Sequence, residues 1–207
     1  MNRRETVASL RARYRFTGLV YDILDVPWER IYRRWRPQLV GDLAGTILEA
    51  GVGTGRNLPF YRGQRVVGLD LSEVMLARAS RRLPADARAH LLQGDACRLP
   101  MSSASVDSYL STFLYCVLPD DLQTGSLAEM ARVLKPGGRF RLLEIIYSRN
   151  ERKRRQQEFL APVVERLYGA RFDRRTLDLI RSTPVLEVTS TRFLKDDTYL
   201  LIDGVRR

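Results

Sequence analysis

Residues 47–55 read I-L-E-A-G-V-G-T-G, and few folds accommodate that run. An apolar pair, Ile47-Leu48, leads into an acid, Glu49, and then into glycines at alternate positions, Gly51, Gly53 and Gly55. A buried parallel strand reads this way where it ends in a tight turn that opens into a helix. Glycine in such a turn adopts backbone angles that other residues avoid, and it lets the main chain approach a ligand with no side chain in between. The spacing is G-x-G-x-G, not the G-x-G-x-x-G of dinucleotide sites, where a pyrophosphate rests on the helix N-terminus. A carboxylate two residues before the first glycine would repel a pyrophosphate. It suits a cationic ligand.

The following segments repeat the pattern of an apolar strand with an acid at its tip. Residues 65–70 form a second short strand ending in Asp70, about 20 residues beyond the glycine turn, where an acid accepts both hydrogen bonds of a ribose diol. Residues 91–96 give a third strand tip with Asp95, suited to an adenine exocyclic amine. Between them Ser72 reads as the N-cap of a helix that carries Met75 toward the adenine. Residues 106–110 read as a fourth strand, 123–134 as a helix, and 134–138 as its end and turn. Residues 139–146 then read as a fifth strand.

With these motifs in order over residues 46–146, the chain resembles the class I S-adenosylmethionine-dependent methyltransferases. The resemblance implies an α/β, Rossmann-like fold: a seven-stranded, mostly parallel sheet with helices on both faces and a C-terminal antiparallel hairpin. Residues 186–194 and 198–202, joined by Lys195-Asp196-Asp197, supply that hairpin. It also implies S-adenosylmethionine as cofactor, S-adenosylhomocysteine as product, and a cofactor site made of Tyr21, Glu49, Gly51, Val52, Gly53, Gly55, Asp70, Leu71, Met75, Asp95, Ala96 and Ser111.

Composition narrows the remaining possibilities. At 207 residues the chain is expected to be one domain with a sizeable core. No run of 18 or more apolar residues occurs, and the arginine-rich first 15 residues lack the apolar block of a signal peptide. A cytoplasmic location is the expectation, with Cys97 and Cys116 as reduced, buried thiols. His90 is the only histidine, which removes His-based zinc sites and Ser-His-Asp triads; no metal is expected. The net charge of +11 is uneven: residues 1–40 carry +5, residues 149–175 carry +5, and the rest is nearly neutral. Such asymmetry fits an anionic partner, either a membrane leaflet or a nucleic acid.

The basic excess lies on helical patterns. Residues 1–40 read as basic amphipathic helices capping the cleft of a domain over 41–207. Residues 5–15 form the first; the second places Trp28, Ile31, Tyr32, Trp35 and Leu39 on one stripe, with Arg30, Arg33, Arg34 and Arg36 around it. Trp28 and Trp35 suit either the headgroup level of a bilayer or packing against the sheet. Arg152-Lys153-Arg154-Arg155 opens a helix over 156–168 whose apolar side is Phe159, Val163, Val164 and Leu167. This run is either a solvated face or a rim of the cleft, where Arg152 or Lys153 could hold an acceptor phosphate. Residues 111–116 edge the acceptor pocket.

Methyl transfer is a direct displacement, so alignment matters more than a covalent catalyst. An aromatic-lined pocket of Tyr14, Tyr21, Tyr115 and Tyr147 would suit an amine acceptor. The chain resembles the Rhodobacter-type phosphatidylethanolamine N-methyltransferases, which are similar to the quinone C-methyltransferases. The Tyr21-Asp22 pair matches their cleft-lining Tyr-Asp pair, which implies Tyr21 as a catalytic residue beside Tyr14 and Tyr147. The implied activity is stepwise N-methylation of phosphatidylethanolamine toward phosphatidylcholine. The protein would be a monomer bound peripherally to the anionic inner-membrane surface through residues 1–36. A quinone-precursor C-methyltransferase and another small-molecule or RNA methyltransferase are the alternatives, with a non-catalytic membrane module beyond them. No nucleic-acid partner is expected, since no RNA-binding module or Asp/Asn-Pro-Pro-Tyr-type motif is present.

Overall fold

The strand-forming segments are short and apolar on both sides, as strands covered on two faces must be. In the computed structural model, which describes residue 26 and residues 28–207, they assemble into one seven-stranded sheet. The strands are β1 (Thr46–Ala50), β2 (Arg65–Asp70), β3 (Ala89–Gln93), β4 (Val106–Thr112), β5 (Leu134–Ile145), β6 (Leu186–Phe193) and β7 (Tyr199–Arg206). Their order is β3-β2-β1-β4-β5-β7-β6, and β7 alone runs antiparallel to its neighbours. The order reverses at β1, which pairs with both β2 and β4. Ligands bind outside the carboxyl ends of the strands at such a point.

Alternation along the central strands divides the core in two. Leu48 of β1 and Tyr109 of β4 face a cluster with Leu127, Met130 and Phe140. Ile47 and Leu110, one residue along, face the other cluster with Trp35, Leu39, Leu58 and Leu201. The helices on these faces are α1 (Arg36–Val40), α2 (Glu73–Ser80), α3 (Asp120–Val133), α4 (Glu151–Tyr168) and α5 (Thr176–Arg181). The seven strands, the closing hairpin and the Ser72 cap agree with the sequence reading; Ser72 Oγ accepts from the Met75 N–H.

Several segments depart from it. Residues 134–138 belong to β5 and form an irregularity opposite Val106 and Ser108, because Gly137 takes a φ of +75° and the chain resumes pairing at Arg139. The stripe from Trp28 to Leu39 is not one helix. Residues 28–32 are helical, then Arg34 and Trp35 bond back only three residues, and α1 begins afresh around Pro37, which has no N–H to continue the ladder. This break turns Trp35 and Arg36 inward. The expected helix over 5–15 and the residues Tyr14, Tyr21 and Asp22 lie outside the described residues.

Candidate active site

The glycine turn after β1 is fixed by backbone bonds. Gly51 and Val52 both donate to the Leu69 carbonyl, at 2.8 and 3.0 Å, which ties the β1 tip to that of β2. Gly53 adopts φ +55°, and a Cβ there would have only the Gly51 carbonyl within 4.0 Å, so its main chain is open to the cavity. Gly55 differs. Its φ is +77°, and a Cβ would strike Leu58 Cδ1 at 2.7 Å and the Ala79 backbone at 2.8 Å. Gly55 lets α2 close on the turn and is not part of the cavity wall, a correction to its expected place in the cofactor site.

The turn opens onto a cavity of about 530 Å³ at the carboxyl ends of β1, β2 and β4. Glu49, Gly51, Val52 and Gly53 line it from β1, and Asp70, Leu71 and Met75 from β2 and α2. Asp95 and Ala96 complete that half. Asp70 is positioned by backbone: Oδ2 accepts from the Gly53 N–H and Oδ1 from the Ser72 N–H, both at 2.9 Å. A carboxylate has about four acceptor sites, so both oxygens keep capacity for a diol. Burial pushes the Asp70 carboxyl upward against these bonds.

Glu49 is held by partners the sequence did not disclose. Asn57 Nδ2 donates to Oε1 and the Tyr61 hydroxyl to Oε2, each at 2.8 Å. Asn57 is itself held by Arg36 Nη1 at 2.6 Å, and Arg36 makes a two-pronged ion pair with Glu29. A polar chain thus runs from Glu29 to the β1 acid. Burial raises the Glu49 carboxyl to about 7, opposed by the Tyr61 and Asn57 bonds and the Arg36 charge. Arg36, read from the sequence as one of the arginines around the Trp28–Leu39 stripe, is buried where it completes this chain.

The other half of the cavity comes from the loop after β4, from α4 and from the β6–β7 turn. Glu144, at the end of β5, accepts from the Tyr115 N–H at 3.0 Å and the Cys116 N–H at 2.7 Å, and burial raises its carboxyl to about 7 as well. Gln123 grips the same loop through the Tyr115 and Leu118 carbonyls, both at 3.1 Å. The result is a fixed loop with Phe113 at φ +60°, a costly angle for a bulky residue. Phe113, Tyr32 and Tyr199 form an aromatic wall. The Tyr32 ring lies 5.0 Å from Phe113 and 5.8 Å from Tyr199, and the two tyrosine hydroxyls are 3.5 Å apart. Trp28, Tyr168 and Phe172 also line the cavity, and Lys153 and Lys195 stand on its rim, Lys153 paired with Asp196 at 2.6 Å.

Other expected site residues fall elsewhere. Ser111 points into the core, where its Oγ lacks a hydrogen-bond partner; Thr112, one residue on, faces the cavity. Tyr115 is buried and bonded to Ser126. Tyr147 packs on Phe172 with Arg154 over its ring, away from the cavity. Trp35 is buried against Tyr199 at 5.0 Å, so it is a core residue and not an interface anchor. Arg33, Arg34 and Arg152 are exposed and outside the cavity wall. Phe113 lies in the segment expected to edge the pocket, but Tyr32 and Tyr199 were missed as its partners because the three share no spacing pattern and meet only in the fold.

Comparison with known proteins agrees with this geometry. Residues 47–138 match the family described as a methyltransferase domain. The chain is 40% identical over 124 residues to a ubiquinone/menaquinone biosynthesis C-methyltransferase of Syntrophotalea carbinolica, covering 55% of this chain and 51% of that one. It is 36% identical over 110 residues to a phosphatidylethanolamine N-methyltransferase of Cereibacter sphaeroides, covering 51% and 53%. The match therefore spans about half the length of each relative. Geranyl diphosphate C-methyltransferase of Streptomyces coelicolor, solved with S-adenosyl-L-homocysteine, has the same fold, with a TM-score of 0.71 over 86% of this chain and 80% of that one at 17% identity. Open glycine backbone, two strand-tip acids and a buried carboxyl facing the same space make a donor set that fits S-adenosylmethionine, which carries a diol, an amine and positive charge. Residues 47–138 of this chain thus match a methyltransferase domain, and over about half of its length the chain is similar to the quinone C-methyltransferases.

Proposed function

We propose that the protein transfers methyl groups to the amine of phosphatidylethanolamine, toward phosphatidylcholine, while bound peripherally at an anionic membrane surface. The observation that carries this reading is the aromatic wall of Tyr32, Phe113 and Tyr199 opposite the glycine turn. As methyls accumulate, the acceptor becomes a larger and permanent cation, which aromatic faces hold well where water is scarce. The cationic rim of Lys153 and Lys195 suits the phosphate next to that amine.

Bound S-adenosylmethionine supplies a methyl group already activated on a sulfonium. The chain's own residues then have three tasks. Asp70, Asp95 and the glycine turn orient the donor. Glu49, charged once a cation lies beside it, balances the positive charge. The aromatic wall aligns the amine and keeps water out; alignment of this kind supplies several kcal/mol, up to about 7–11 in well-organised cases. An acceptor ammonium must lose a proton to water before attack, and the paired hydroxyls of Tyr32 and Tyr199 are the polar groups placed on the wall to hydrogen-bond the neutral amine. Tyr14 and Tyr21 remain candidates outside the described residues.

The similarity to a quinone-biosynthesis C-methyltransferase supports a second reading, an apolar ring as acceptor stacked on the same wall. Mass spectrometry after incubation with S-adenosylmethionine and vesicles of phosphatidylethanolamine plus phosphatidylglycerol separates the two. Mono-, di- and trimethylated headgroups support the lipid reading. Unmodified lipid, with cofactor binding intact by calorimetry, overturns it and directs the search to a quinone precursor. Among the described residues no helix is long and apolar enough to cross a membrane, so attachment in this proposal is by surface contact.

A further inference from the structure

The apolar side of α4 is largely bare, with only Val164 partly buried against the core. Phe159 is 83% exposed, Val163 54% and Leu160 52%, with Leu167 also exposed. At 3.6 residues per turn these four fall on one continuous stripe. On one side the stripe borders the face that lines the cavity, through Lys153, Gln157, Leu160 and Val164; Leu160 belongs to both. On the other side stand Arg155 and Arg166, and toward the start of the helix Arg152 and Gln156 continue the line of the stripe, all exposed. The acids Glu151, Glu158 and Glu165, spaced by seven, form a separate line beyond the arginines. Around the helix the order is therefore cavity, apolar stripe, a border of cations, and a line of acids that includes the Arg154–Glu158 pair.

We infer that this stripe of α4 is the surface by which the protein docks on an anionic lipid bilayer, so that the mouth of the methyl-transfer cavity opens at the headgroup level. An amphipathic helix with bulky apolar residues on one face and arginines along its border lies in the plane of a bilayer interface, the apolar residues entering the acyl boundary and the cations meeting anionic headgroups. Trp28, 45% exposed and lining the same cavity, adds an interfacial aromatic to that rim. Phe159 is the most exposed of the large apolar side chains among the described residues. A monomeric soluble surface seldom leaves contiguous apolar side chains bare without a partner. The inference takes its partner from the membrane-surface reading above and assigns the contact to α4 instead of to residues 1–36 alone. The consequence is that a lipid acceptor enters past Leu160 without leaving the bilayer.

Docking is tested with vesicles free of phosphatidylethanolamine, so that no acceptor chemistry takes part. Cys97 and Cys116 are buried, so Val163→Cys in the full chain takes an environment-sensitive thiol label selectively. The label should shift to the blue with phosphatidylcholine vesicles containing phosphatidylglycerol, and much less with phosphatidylcholine alone. Phe159→Glu should need about tenfold more lipid for half-maximal sedimentation, as expected for a Phe-sized apolar side chain kept in water. Arg152→Gln and Arg155→Gln should each weaken binding about fivefold at low salt and less at high salt. Both positions and Phe159 are exposed, so the fold is kept, and a melting curve verifies it. No spectral shift with anionic vesicles, or unchanged sedimentation of Phe159→Glu, overturns the inference. So does a blue shift that grows with protein concentration in the absence of lipid, which would assign the stripe to a second copy of the chain. Docking as expected but without methylated phosphatidylethanolamine in the separate lipid assay upholds the surface and refutes the acceptor.

Discussion

Glu49 should make cofactor affinity depend on pH. Its carboxyl is buried, hydrogen-bonded to Asn57 and Tyr61, and raised to about 7. A cation in the adjacent cavity favours the ionised form, so S-adenosylmethionine selects protein in which Glu49 has lost its proton. At a carboxyl pKa of about 7, about a tenth of the free protein is ionised at pH 6 and about nine-tenths at pH 8. When only the ionised form is competent, the apparent dissociation constant is the intrinsic one divided by that fraction. Binding is then about tenfold tighter at pH 8, or about 1.4 kcal/mol. Glu49→Gln keeps the shape and an acceptor for Asn57 or Tyr61 but has nothing to titrate. The assay is titration calorimetry of both proteins at pH 6 and 8, each in two buffers of different ionisation heat. Wild type should release a proton at pH 6 and the variant should not; the ligand's own amine titrates against both and cancels in the comparison. An identical pH slope in the two proteins would refute the role given to Glu49.

Four further outcomes follow from the same geometry. Glu49 and Glu144 both keep their protons in the fold up to about 7 against a usual value of 4.5, while the unfolded chain ionises first. Their contribution is therefore fully present below about 4.5 and lost as pH rises toward 7, by about 3 kcal/mol each. Urea unfolding of the ligand-free protein at pH 5 and 7.5 should show that fall, Glu49→Gln should remove about half of it, and a flat wild-type profile contradicts the assignment. Gly55→Ala, strained in φ and overpacked on Ala79, should cost about 2–5 kcal/mol in a urea melt. Gly53→Ala has room for its Cβ and should cost only about 1–2 kcal/mol yet weaken cofactor binding at least tenfold by calorimetry; equal melts for the two variants would be inconsistent with their separate roles. Arg141 is buried between Asp42 and Asp203, so Arg141→Ala should cost about 3 kcal/mol in a thermal melt, partly recovered by adding Asp203→Asn.

What could be read from the chain and what could not divides along physical lines. The glycine turn and the strand-tip acids Asp70 and Asp95 were legible because backbone sterics and short apolar strands place them locally. Ser111 was misjudged by one residue because side chains alternate across a strand, and nothing in S-T-F-L says which parity faces the cavity. Trp35 and Trp28 share a stripe in the sequence, but the break at Pro37 buries the first and leaves the second on the cavity rim. The apolar side of α4 carried the right period for burial, and period alone does not tell a core from a docking face. Asn57, Tyr61 and Arg36 were invisible as site residues, since their roles exist only through contacts with Glu49 across the fold.

The two halves of the cavity are consequently different kinds of construction. The donor half is built from β1, β2 and the turns that follow them, and it lies within residues 47–138, where the methyltransferase-domain match is found. The acceptor half takes Tyr32 from before that region, and Lys153, Leu160, Tyr168, Phe172 and Tyr199 from after it; only the loop at Phe113 falls inside. Two relatives whose names give different acceptors resemble this chain at 40% and 36% identity, each over about half of its length. In the proposed reading, acceptor choice rests on the segments that cover this sheet, one of which also reaches Glu49 through Glu29, Arg36 and Asn57. The decisive exchanges are at Tyr32, Tyr199 and the α4 stripe. Losing lipid methylation there while keeping cofactor affinity would place specificity in the covers, whereas losing both together would show that the halves are coupled through the Glu29–Arg36–Asn57 chain.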